Sequence, residues 1–339
     1  MKSNFTLSAW QTTWYMVIFI LGLVGNGIVI FVIMKSKTIQ RDAPFNIYLL
    51  ALAIIDMLIS IICVPTYALS TDAFLHPSGE YGEVLCKLVT GYTIPFWLLD
   101  VSVFLLVAIA VERRKAIIDS FSTLQYRSIK LTLSYVGIAL LMGILTQAPT
   151  YYGAHYESRN ATVGNACKYD CGSTTMDILH YSAFTLECIV PSIVLFICFR
   201  HIKKHLTKFE GELHHSIPDY YKAKNKKFIP NIAHKKDTIG TFKIIVIVFL
   251  VCVALNEITY VLLEPVLNIT SLQWNSSLYQ VTVMLRFSNS CLNPILYSFR
   301  SKSFRKKVRD VFNDMTLIKM LKIRKENQIN MYTKFSNVI

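Results

Sequence analysis

An all-α membrane protein is the fold this sequence predicts: a seven-transmembrane helix bundle followed by a short amphipathic helix on the cytoplasmic surface. Three observations predict it. First, the 339 residues are 53% hydrophobic and only 17% charged, with a mean hydropathy of +0.43, whereas soluble domains average about 25% charged residues. Second, no Asp, Glu, Lys or Arg lies between Lys2 and Lys35 or within 131–156, and each gap exceeds the roughly 20 apolar residues that cross a bilayer as a helix. Third, the basic residues fall on one side of the seven spans. A soluble enzyme, a secreted disulfide scaffold and a disordered tail protein are excluded.

Seven apolar segments follow in order, at 10–34, 44–70, 86–111, 129–152, 178–200, 239–263 and 274–299. Residues 1–9 precede the bundle of 10–299. Residues 300–312 are too charged to span and amphipathic enough to lie on the membrane surface. Residues 313–339 form a tail. The segment 209–236 is polar and broken by proline, and reads as a mobile loop; His214 and His215 within it are a solvated pair rather than a metal site.

Orientation follows from the loops, because cytoplasmic loops carry the excess of Lys and Arg. With the N-terminus outside and the C-terminus in the cytoplasm, thirty of the 35 Lys and Arg residues fall on the cytoplasmic side. The net charge of +14 is then a topology signal with some attraction to anionic lipid, and no nucleic-acid partner is expected. The sequons at Asn4, Asn160, Asn268 and Asn275 all fall outside on the same assignment, as glycosylation requires. A cleavable leader is not expected, because the first apolar stretch is too long and lacks a basic leading region. The chain is expected at the plasma membrane.

Polar residues inside the spans distinguish between a receptor, a channel and a transporter. The first span holds LVGNGIVI around Asn26, and the second holds LALAIIDML with Asp56. The third ends VAIAVERRKAI, with Glu112 and Arg113. The fifth carries Pro191. The seventh carries NSCLNPILY, with Asn293, Pro294 and Tyr297, and Phe304 follows. This ordered set, covering about 15–312, resembles the rhodopsin-like family of G-protein-coupled receptors, in a divergent, peptide-receptor-like form.

The resemblance gives roles to these residues. A mid-membrane aspartate is costly and marks function. In the family, the position of Asp56 shares a sodium ion with oxygens at the positions of Ser102, Asn289, Ser290 and Asn293, and such ligands suit a hard cation. A hydrogen-bonded packing cluster is the alternative. No other cofactor is expected. Pro294 removes a backbone hydrogen bond and makes a hinge near Tyr297. Glu112 is placed to hold Arg113 at rest, and the released guanidinium meets the G protein, a task suited to its permanent charge and several donors. Cys86 is expected to pair with Cys167 or Cys171 in the second external loop, where the compartment is oxidising; Cys63, Cys188, Cys198, Cys252 and Cys291, all in spans, are packing residues.

The sequence also departs from the family. In helix six Val253 stands where the family has Trp and Leu255 where it has Pro, which puts the aromatic switch and the kink in doubt. Arg114 replaces the usual aromatic after the arginine. Lys235 and Lys236 stand where some members carry an acid. The interval from Cys86 to Arg113 is long, and Pro95 is read as the mark of a bulge that absorbs the difference.

The ligand-binding candidates are Asp100, Glu187 and Glu257 in the spans, Glu264 at the rim, and Arg286 in the seventh span. Asp100 is two residues from Ser102, about 200° around a helix of 3.6 residues per turn, so it is expected to face helix five. Two close carboxylates in low dielectric require a cation. A cationic ligand group, such as arginine in a neuropeptide-like ligand, is one reading; an internal network of Arg286 with Glu257 that meets no ligand is the other. The position of the family's amine-binding aspartate is Pro95 here, which disfavours an amine receptor. Residues 274–299 contain no lysine, which disfavours a retinal pigment. The sequence therefore predicts a peptide receptor that activates a heterotrimeric G protein and also meets arrestin. An amine or other small-molecule receptor, an atypical receptor with weak coupling, and a transporter are the alternatives. No nucleophile constellation, metal spacing or phosphate loop supports an enzyme.

Overall fold

The structure is a computed structural model that describes residues 9–35, 43–64, 75–118, 128–157, 166–169, 174–216, 240, 243–263, 277–300, 304–313 and 316. Helices α1 (Ala9–Lys35), α2 (43–64), α3 (Gly79–Ile118), α4 (Ile129–Gly153), α5 (174–216), α6 (243–263) and α7 (Ser277–Arg300) match the seven predicted spans in order, and α8 covers 304–313. The helices α1 to α5 are each long and apolar enough to cross a membrane. The chain is a multi-pass membrane protein.

Polarity is distributed as a lipid solvent demands. Large apolar side chains face outward along α1 (Val17, Leu21, Val24, Ile28) and α4 (Leu141, Ile144, Leu145), while Asp56, Asp100 and Ser102 are fully buried. Polar residues here face the bundle interior, where other side chains satisfy them. α1 packs on α7 and α2, α2 on α3, and α3 on α4 and α5, so α3 is the central strut. Its buried residues Leu98, Val101, Leu105 and Ile109 join Leu52, Ile59, Val283 and Phe287 in the largest core cluster. Where α3 meets α4, a Cβ on Gly143 would lie 2.8 Å from Val101 Cγ2 and 2.9 Å from Trp97 Cδ1. Glycine therefore sets that approach, and the Trp97 indole N–H donates to Leu140 O at 3.1 Å.

Helix boundaries differ from the sequence reading at α5. That helix continues to residue 216, past the predicted end at 200 and into the segment read as a loop. Leu195, Cys198, Ile202 and Leu206 are buried at helical spacing through the basic run of Arg200, Lys203 and Lys204. The apolar stripe persists where average hydropathy falls.

Turns of π-helix interrupt α2 (Ile59–Cys63), α3 (Cys86–Thr90), α5 (Thr185–Ile189) and α6 (Leu250–Ala254). Such bulges recur at functional sites. The one in α3 corrects the placement of the extra residues. The long interval from Cys86 is taken up at Cys86–Thr90 and at the break of Gly91 and Tyr92, while Pro95 sits in the first turn of the helix Thr93–Ile118, where proline is tolerated. At that break Tyr92 has φ +65°, and Gly91 donates to Cys86 O at 2.6 Å. A Cβ on Gly91 would lie 2.3 Å from that oxygen, so only glycine fits.

Two short strands that the all-helical reading did not contain, β1 (Ala154–Tyr156) and β2 (Cys167–Tyr169), pair antiparallel after α4. A disulfide joins Cys86 to Cys167, tying β2 to α3. Cys171 lies outside the described residues.

Candidate functional site

Three polar constellations lie along the bundle. Midway, the buried Asp56 on α2 accepts from Ser102 Oγ on α3 at 2.8 Å and from Asn293 Nδ2 on α7 at 2.7 Å. Of the five residues expected around a sodium ion, these three meet directly. Ser290 Oγ instead donates to Phe287 O, 2.8 Å away on its own helix. Asn289 Oδ1 is buried with no hydrogen-bond partner among the described residues. The Asp56 carboxylate and the Ser102 hydroxyl are oxygen donors of the kind that a hard cation takes. Close by, Asn26 Nδ2 bridges Gly22 O at 2.9 Å and Ser290 O at 3.0 Å, fastening α1 to α7.

Nearer the disulfide, four helices converge on Arg286 of α7. Its Nη2 lies 2.5 Å from Asp100 Oδ1 on α3 and 3.2 Å from Glu187 Oε2 on α5. Its Nη1 contacts Glu257 Oε1 on α6 and donates to Asn256 Oδ1 at 3.1 Å. All four charged residues are buried. Asn256 is itself oriented by donating Nδ2 to Thr282 Oγ1 at 3.1 Å. Local structure brings Glu187 inward: it lies within the π turn of α5, just before Pro191.

Asp100 meets α5 as predicted, where its carboxyl hydrogen-bonds that of Glu187. It also reaches α7 through Arg286 and α4, with Thr146 Oγ1 donating to Oδ2 at 2.9 Å and Gln147 Nε2 at 2.5 Å. The ion pair of Arg286 with Glu257 foreseen in the sequence is present as part of this larger cluster.

A cleft opens on the cluster. Glu187, Glu257, Arg286, Asn256 and Gln147 line its polar side, and Phe96, Phe184, Tyr169 and Tyr279 its aromatic side. The Arg286 guanidinium lies 5.1 Å from the centre of the Phe96 ring, within cation–π range. The arrangement offers an acidic, partly aromatic receptacle in which a few convergent polar groups can orient a ligand group.

At the opposite end of α3, the Arg113 guanidinium stacks on Phe45 of α2 at 3.3 Å from the ring centre. Its neighbour Arg114 donates Nε–H to His201 Nδ1 on α5 at 2.9 Å. Lys307 on α8 donates to Asn46 Oδ1 at 3.1 Å, and Phe304 of α8 is buried with Val29, Val32 and Leu49. Val253, at the expected tryptophan position, is buried beside Phe249 and Cys252. The π turn Leu250–Ala254 breaks the regular helical ladder there in place of a proline.

Asn4, Asn160, Glu264, Asn268 and Asn275 lie outside the described residues, as does the side chain of Tyr297. The sequence reading missed Thr146, Gln147, Asn256 and Phe45. Uncharged residues carry no hydropathy penalty large enough to attract notice; a Gln two residues before Pro149, at a helix break, was the one available signal.

Residues 25–297 match the family described as 7 transmembrane receptor (rhodopsin family). Galanin receptor type 1 of Homo sapiens is 29% identical over 306 residues, covering 87% of this chain and 79% of that protein. Apelin receptor B of Danio rerio is 29% identical over 303 residues, covering 86% and 79%. Apelin receptor A of Danio rerio is 27% identical over 300 residues, covering 86% and 78%.

Proposed function

The chain belongs to the rhodopsin family of seven-transmembrane receptors, and from that membership we propose that it binds an extracellular cationic peptide and activates a heterotrimeric G protein. One observation carries the ligand reading: Glu187 and Glu257 line a cleft in which the one described Lys or Arg is Arg286, already engaged by Asp100, with His180 on the lining beside it. Carboxylates crowded in low dielectric favour a cation. Its relatives are receptors named for galanin and apelin, and the peptide class is carried over from them.

The membrane topology completes the proposal. The end bearing the Cys86–Cys167 disulfide faces outside with the sequons Asn4, Asn160, Asn268 and Asn275, and Glu264 stands at the pocket rim. The Arg113 end and the tail face the cytoplasm, where α8 lies on the lipid. There the opened bundle presents Arg113 to the G protein, and later to arrestin, while Glu112, Pro294 and Tyr297 take part in the switch. A sodium ion at Asp56 stabilises the resting bundle. Ligand binding outside favours the open form only through its differential affinity for the two states.

The test is nucleotide exchange. Receptor reconstituted with heterotrimeric G proteins is presented with a panel of basic peptides, amidated members included. Acceleration by a basic peptide, lost in Glu187→Gln and Glu257→Gln, supports the proposal. Acceleration by neutral or acidic peptides alone overturns the ligand reading, and a failure to couple under any peptide overturns the G-protein reading.

A further inference from the structure

We infer that Thr282 is a positioning residue for the receptor's switch: acting through Asn256 it aims the Arg286 guanidinium, and the relay from Thr282 through Asn256 to Arg286 fastens α6 to α7 in the resting bundle. This role rests on the G-protein receptor reading proposed above.

Each hydrogen bond in the relay has its direction set by the one before it. Thr282 Oγ1 donates to Tyr279 O at 2.8 Å, one turn back on α7. A carbonyl cannot donate and a hydroxyl has one proton, so toward α6 Thr282 can only accept. The atom of Asn256 that faces it, at 3.1 Å, is therefore Nδ2. That turns Asn256 Oδ1 to Arg286 Nη1, also at 3.1 Å. Asn256, Thr282 and Arg286 are all buried, so a partner lost here is not replaced by bulk water and its loss is costly.

The guanidinium is a planar fork, and its two ends serve different helices. Nη1 meets Asn256 and Glu257 on α6, while Nη2 meets Asp100 on α3 and Glu187 on α5. Among the described residues, the side-chain hydrogen bonds and ion pairs that leave α6 start at Asn256 and Glu257 and end on α7. Both residues lie just beyond the π turn Leu250–Ala254, where the regular helical ladder is broken. Before and within that turn, Phe249, Cys252 and Val253 belong to an apolar cluster with Val103 of α3 and Leu195 of α5. The polar fastening therefore sits beside the weak point of α6 and governs how Leu255–Leu263 is held.

Two further observations tie this contact to the switch. At the opposite end of α3, Arg113 is folded onto Phe45, so the relay is closed in the form where that arginine is not presented. Asn256, Glu257 and Arg286 line the cleft, whereas Thr282 does not. An occupant of the cleft competes for the first three, while Thr282 acts on α6 without touching it. A contact made in only one of two states shifts their populations by its own free energy.

The experiment measures nucleotide exchange without added ligand, using full-length receptor in membranes at matched receptor density with heterotrimeric G protein. Thr282→Val and Thr282→Ala remove the hydroxyl and should raise the basal rate roughly 2-fold to 10-fold, the effect of one buried hydrogen bond. Thr282→Ser keeps the hydroxyl and should match wild type. Asn256→Ala should raise the rate by itself, and Thr282→Val added to it should raise it no further, because the bond is already gone. Where wild type couples, the inference alone is overturned by hydroxyl-free variants at or below the wild-type rate, by an equal rise in Thr282→Ser, or by additivity with Asn256→Ala. It is also overturned if Thr282→Val and Thr282→Ala both fail to reach the membrane while Thr282→Ser does, which would assign the hydroxyl to folding. Exchange no faster than in receptor-free membranes, for wild type and every variant, overturns the G-protein reading and this role together.

Discussion

The guanidinium of Arg113 rests 3.3 Å from the centre of the Phe45 ring, joining α3 to α2 at the end of the bundle assigned to G-protein coupling. Sequence analysis had put Glu112 in charge of holding this arginine. The structure shows its contact with Phe45, on a different helix, whose neighbour Asn46 receives Lys307 from α8 at 3.1 Å. The foot of α2 thus meets both Arg113 and α8. A separation of α3 from α2 must break the ring contact.

The ring should therefore restrain ligand-independent activity. A cation–π contact contributes about 0.5–2 kcal/mol, so Phe45→Leu is expected to raise basal nucleotide exchange by roughly 2-fold to 30-fold. Phe45→Trp keeps an aromatic face and should stay near wild type. Basal GTPγS binding in membranes with matched receptor density checks both. Equal basal rates for Leu and Trp would assign Phe45 to packing alone.

Arg113→Ala should abolish ligand-stimulated exchange while surface expression is largely retained, since the half-buried side chain lies at the end of its helix rather than in a core cluster. Flow cytometry with an N-terminal epitope tag reports expression, and it also reports topology. A tag reachable only after permeabilisation would reverse the assignment of the two ends.

Much of this architecture was legible because lipid imposes strong rules. Seven apolar runs gave seven helices, and Asp56 was marked as special by its cost alone. Asp100, Glu187, Glu257 and Arg286 stood out as charges in apolar runs, and the structure gathers them at one point. The partners that complete the cluster were not legible. Thr146, Gln147 and Asn256 are ordinary polar residues, and only the side of α3 taken by α4 shows that Asp100 meets the first two. The extension of α5 to residue 216 was hidden because averaging over a window erases an apolar stripe flanked by lysines. The π turn of α6 was hidden too, since nothing in Leu250–Ala254 marks a bulge as proline marks a kink.

Asp56→Asn should remove sodium dependence of agonist affinity. The substitution keeps the size and one oxygen but deletes the charge that a monovalent cation needs, while Ser102 and Asn293 retain hydrogen-bonding partners. Competition binding in sodium chloride and in N-methyl-D-glucamine chloride checks this. A sodium shift that persists in the variant would place the ion elsewhere.

Arg286→Met should be the most damaging single change in the cleft. It leaves Asp100, Glu187 and Glu257, all buried, without their shared cation. Breaking a buried ion pair from one side costs about 3–5 kcal/mol, so the thermal unfolding midpoint of purified receptor should fall sharply and surface expression with it. Asp100→Asn introduced together with Arg286→Met removes one of the carboxylates left behind, the one held at 2.5 Å in wild type, and preserves hydrogen bonding to Thr146. The double variant should therefore recover a large part of the loss, and the two changes should be strongly non-additive, as expected for groups in one network. Strict additivity would show that Arg286 and Asp100 act on stability independently, and the internal pair would then have no energetic basis.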